Sequence, residues 1–198
     1  MDVRRYKKRK VGGITGKLEG RVELLVSGFG VQKIIPVDDI VKAVNLLPDA
    51  HVAGLRAVEY DPDRHTAVPG LFSRIFRRPP PCLRGIFLQR KRKIIIYDFD
   101  SRDQFFHILY HEIGHFVFYL VLDSDAKKRW VKQLHRNRPF ITRLAARNAG
   151  EDFAECYATY LLKPEKLKFL KDKYDFIHEV VFANHPLAFE GSLVDIIL

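Results

Sequence analysis

The stretch from Leu109 to Phe118, LYHEIGHFVF, constrains this chain more than any other. It sets two histidines four residues apart, with a glutamate beside the first, inside an apolar run. Burying such groups costs free energy unless a hydrogen bond, an opposite charge or a metal compensates. The local pattern is helical. Ser101 with Gln104 three residues on is a capping-box signature, and apart from Gly114 no glycine or proline interrupts the run to Leu122. One helix therefore carries His111 and His115 a turn apart on one face, with Glu112 about a hundred degrees around it. Apolar neighbours on all sides after His115 imply burial.

This is the HExxH arrangement. Zinc accepts two neutral imidazoles, needs a third protein ligand and leaves its fourth position to water in catalytic sites. The adjacent glutamate, Glu112, is then placed to act as general base. His107 lies one turn before His111 but has no glutamate at the useful place between them, so it reads as a neighbour or rim residue. His178-Glu179 imitates the start of the motif and offers Phe182 where a second histidine is needed; it reads as ordinary helix.

A second helical stretch, GEDFAECYATYLL, spaces Glu151 and Glu155 one turn apart, with Phe153, Ala154, Tyr157, Ala158, Leu161 and Leu162 for packing. Two carboxylates on a mostly buried face repel each other unless a cation is near. The plainer alternative is a pair of solvated glutamates at a helix N-terminus, favoured by its dipole.

HEIGH followed by a helix bearing EDFAE resembles the gluzincin metallopeptidases, above all the group of the anthrax toxin lethal factor catalytic domain, the Pro-Pro endopeptidases and the minigluzincins. The resemblance implies an α+β zincin-like fold, with a small, mainly antiparallel twisted sheet packed on the HExxH helix and a helical C-terminal half. It implies a zinc-dependent endopeptidase in which His111, His115 and Glu151 hold Zn2+, Glu112 is the general base and Glu155 supports a ligand histidine. A carboxylate on the far nitrogen of an imidazole does fix its tautomer. One departure stands out: a tyrosine that stabilises the oxyanion in the lethal factor and the Pro-Pro endopeptidases falls here on Leu144. Tyr157, Tyr160, His135, Arg143 and Arg147 are the alternative donors.

Two other readings compete. His135 in place of Glu151 resembles the SprT-like proteases, which act on proteins attached to DNA. The other is a non-enzymatic protein that binds nucleic acid through a basic surface. Lys+Arg 34 against Asp+Glu 24, a formal net charge of +10, makes polyanions possible partners, with the basic N-terminus (Met1 to Lys10) as the contact.

The remaining sequence organises around this centre. The 198 residues, 47% hydrophobic, suit one globular unit. Its divisions are a basic tail and N-terminal hairpin over 1–36 and a metallopeptidase domain over 37–198, with a sheet-bearing half (37–122) and a helical half (123–198). The N-terminal hairpin pairs Arg21 to Val26 with Val31 to Ile35. A short amphipathic helix follows from Asp38 or Asp39, then a strand in VAGLRAVEYD, and a hairpin pairs Gly85 to Leu88 with Ile94 to Phe99. Pro79-Pro80-Pro81 favours polyproline II, and either the N-terminal hairpin or the apolar ending GSLVDIIL is a candidate self-inhibiting segment. Two widely spaced cysteines, Cys82 and Cys156, and no apolar leader point to the cytoplasm. No run is long enough to span a bilayer. The single Met and abundant Arg and Lys match proteins of thermophiles.

Overall fold

The computed structural model describes residues 24–65 and 84–183. Within them the chain is α+β, with a four-stranded mixed sheet ahead of a helical half. Strand β1 (Leu25–Ser27) leads through helix α1 (Val37–Asn45) to β2 (Ala57–Tyr60), and β3 (Gly85–Leu88) turns into β4 (Lys93–Ile96). The order is β1-β2-β4-β3, with β1 parallel to β2, β2 parallel to β4, and β3 antiparallel to β4. The expectation of a mainly antiparallel sheet is thereby corrected, since only the β3–β4 hairpin is antiparallel. A hairpin announces itself through its turn, whereas parallel partners are joined by long connections that leave no mark on the strands. Ile94, Ile95 and Ile96 are all fully buried, as expected of a central strand covered on both faces.

The proposed N-terminal hairpin is a second correction. After β1 the chain enters a 3-10 turn, Phe29–Val31, through Gly28 at φ 83°. A side chain at Gly28 would also collide with the Tyr60 carbonyl, which lies 2.0 Å from where its Cβ would sit. The Gln32 side chain then donates to the carbonyls of Phe29 and Ile35 and accepts from the N–H groups of Ile34 and Ile35. These bonds engage backbone groups that a returning strand would need. Leu24, Val26, Phe29 and Ile35 join the same core as α1, the sheet and the long helices. The basic tail, Pro79-Pro80-Pro81 and GSLVDIIL lie outside the described residues.

The centrepiece is α2 (Arg102–Phe116), which continues as a wider π-helical turn over Val117–Val121. Ser101 caps it by accepting from the Gln104 N–H, while the Gln104 side chain accepts from the Asp100 N–H at 2.7 Å. One side of α2 packs on β3 and β4, the other on α4 (Ala149–Leu162). Between them run α3 (Ser124–Arg129), extended by a π turn over Trp130–Leu134, and a connecting segment. Pro164, just beyond α4, opens α5 (Pro164–Leu167), and α6 (Lys171–Asp175) follows. No single helix among the described residues is long and apolar enough to cross a membrane.

Gly114 permits the α2–α4 contact. A Cβ there would lie 2.9 Å from the Ala154 Cα and 3.2 Å from the Tyr157 Cβ, so the two helices approach almost backbone to backbone. Gly114→Ala gains helix propensity of about 1 kcal/mol but forces the helices apart. It is expected to destabilise the protein by about 1–3 kcal/mol, measured by urea unfolding.

Candidate metal centre

Glu151 owes its position to a helix cap. Asn148 accepts from the Glu151 N–H at 3.0 Å, which makes Glu151 the third residue of α4. In a capping box that side chain would turn back to the cap. Here it projects instead to the facing turn of α2, where its Oε2 lies 3.2 Å from His111 Nε2 and 3.6 Å from His115 Nε2. Two ligands of one tetrahedral zinc, with bonds near 2.1 Å, stand about 3.4 Å apart. The donor set fits such an ion in type, number and spacing. His107, His111 and Glu155 form a second, overlapping group able to hold a metal. It shares His111, through the ring nitrogen that faces away from Glu151.

Glu155, one turn beyond Glu151, sits behind the histidines. Its Oε1 is 2.7 Å from His111 Nδ1, close but poorly aligned for a hydrogen bond, and 3.2 Å from His107 Nε2. The His115 Nδ1 is buried with no hydrogen-bond partner among the described residues. Glu112 is buried on the sheet side, where the Phe87 backbone hydrogen-bonds it, and burial raises its carboxyl against the pull of His111 and His115. Gly85 leaves room for it: a Cβ there would be 3.1 Å from Glu112 Oε1 and 2.7 Å from Ile108 Cγ2.

These histidines and glutamates open into one cleft of about 870 Å3, between β3 and the segment ahead of α4. Leu144, Arg143 and Arg147 line it. Of the other donors considered from sequence, Tyr157 is buried against His51 and Tyr160 bonds to His178. His135 is not brought to the histidine pair; its Nδ1 lies 3.2 Å from Asp152, itself buried in an ion pair with Lys173 at 2.9 Å. That buried pair anchors α4 through a neighbouring face of the helix.

Sequence reasoning missed Tyr119. It lines the cleft, its ring stacks on His115 with centroids 6.0 Å apart, and its hydroxyl lies above Gly150, 2.6 Å from where a Cβ would sit. Burial, and then the Glu151 charge, push its phenol up. The available signal was its place one turn after His115, obscured because the helix widens there. No protein-family model matches this sequence, and no curated protein matches it significantly.

In the metal-free chain burial lowers the His111 imidazole, but Glu151 and Glu155 outweigh this and push it up to about 10 from 6.5. Burial likewise raises the Glu151 carboxyl, yet His111 and His115 bring it down from 4.5 to about 2. The stability from His111 is therefore complete below pH 6.5 and lost as pH rises through about 10; that from Glu151 is present above pH 4.5 and lost as pH falls through about 2. Urea unfolding of chelator-treated protein should find Glu151→Gln most costly between pH 4.5 and 6.5, with the difference from wild type shrinking on both sides.

Proposed function

We propose that this chain is a zinc-dependent endopeptidase of the gluzincin type. The observation that carries the reading is the convergence of His111 Nε2, His115 Nε2 and Glu151 Oε2 on one point of a cleft that also holds Glu112. The resemblance of HEIGH and EDFAE to the gluzincins supports it from the sequence side. Zinc held by these three side chains would supply a Lewis acid for the scissile carbonyl and would activate the attacking water.

The chain's own residues do the rest. A peptide lies extended along the cleft beside β3, an edge strand among the described residues, which suits main-chain recognition. Glu112 takes the proton of the attacking water and returns it to the leaving amine; its raised pKa suits both halves of that task. Glu155 holds the far side of His111 and sets its orientation, with His107 steadying Glu155 in turn. Leu144 has no donor to offer, and Tyr119 takes that role by donating its hydroxyl hydrogen to the developing oxyanion. Asp152 holds His135 away from the metal, which weighs against the SprT-like alternative. Nucleic-acid binding through the basic tail and the β3–β4 hairpin tip, where Arg90, Lys91 and Arg92 are exposed, is a separate reading; the tail lies outside the described residues.

Elemental analysis should find one zinc per chain in wild type and a marked loss in Glu151→Ala. Glu112→Gln should keep the metal while hydrolysis of an unstructured protein falls by about 10²–10⁴-fold; undiminished turnover would refute the mechanism. Tyr119→Phe should lower kcat by about 10²-fold with zinc content and KM little changed.

A further inference from the structure

The segment between the π turn after α3 and α4, HRNRPFITRLAAR from His135 to Arg147, carries four arginines and no carboxylate. Two of them, Arg143 and Arg147, line the cleft. Both are exposed, and neither has an ion-pair partner among the described residues. The carboxylates of the cleft, Glu112, Glu151 and Glu155, are instead engaged by the histidine cluster or the β3 backbone. A side cavity of about 340 Å3 continues the same sign: it shares Gln104 and His107 with the cleft and adds exposed Lys163 and Lys166 against the single carboxylate of Asp103.

Unpaired arginines beside a reaction centre are placed for planar recognition of carboxylates, which a guanidinium meets with two parallel hydrogen bonds. Resting on the peptidase reading, we infer that Arg143 and Arg147 select acidic peptides, by pairing with glutamate or aspartate side chains that flank the bond lying over Glu112. The pairs stand at a solvent-exposed rim, so each contributes modestly and is screened by salt, and together they discriminate between peptides rather than hold them.

Fluorescence anisotropy tests this on zinc-loaded Glu112→Gln protein, with labelled short peptides in which alanine alternates with either glutamate or glutamine. At low salt the glutamate peptide should bind about five- to tenfold more tightly. The preference should disappear in the added double variant Arg143→Gln/Arg147→Gln, with zinc content unchanged, and persist in Lys127→Gln/Lys128→Gln, whose lysines lie outside the cleft. No preference, or an equal preference in the arginine variant, overturns the inference and assigns any acidic binding to the general positive charge. Hydrolysis of an unstructured protein by wild type is followed in parallel. Cleavage without discrimination sinks the inference alone. Discrimination lost with the arginines, without cleavage, sinks the peptidase reading and supports the acidic-peptide site.

Discussion

The close crossing of α2 and α4 is the constraint on which the rest of the molecule depends. Gly114 and Ala154 bring the two backbones together, and only at that separation does a carboxylate on the first turn of α4 reach both imidazoles of α2. An extra methyl group at the crossing would be felt at once in so closely packed an interior. It would also be felt at the cluster, because Glu151 lies three residues from Ala154.

Charge burial explains how the surrounding structure is arranged. His111, Glu112, Asp152, Glu155 and Lys173 are all removed from solvent, each at a cost that only a partner offsets. The partners meet α4 on two neighbouring faces. On one side Glu151 and Glu155 meet the histidines. On the other, Asp152 meets Lys173 and His135, and nearby the Trp130 indole N–H donates to the Ala149 carbonyl at 3.0 Å. Fastened at both faces, α4 presents its glutamates at a defined height. The thiol of Cys156, wholly buried beside Asp152 and pushed up by that burial, is kept out of the chemistry.

Much of the site was legible before any coordinates. His111, His115 and Glu112 follow from the three-letter pattern and helical spacing, and the turn that carries Glu151 and Glu155 follows from the same period. Tyr119 was not legible, because the chain widens into a π-helical turn after Phe116 and a residue's facing there no longer follows from the α-helical period. Leu144, Arg143 and Arg147 were readable as residue types, while their place on the cleft wall depends on how a connecting segment folds back. The N-terminal hairpin failed for a local reason: apolar alternation was present on both sides of Gly28, but the Gln32 side chain takes backbone groups that a second strand would have used.

What the sequence by itself determined is short-range: the capped helix with its paired histidines, the one-turn spacing of Glu151 and Glu155, and the β3–β4 hairpin. Each of these is written within about a dozen residues, where backbone geometry and periodicity act directly. The tertiary structure alone decided the parallel pairing of β1, β2 and β4, the meeting of Glu151 with His111 and His115, and the retention of His135 by Asp152. Such contacts join residues far apart in the chain, and they are selected by packing and by the need to pair buried charge, which no local pattern encodes.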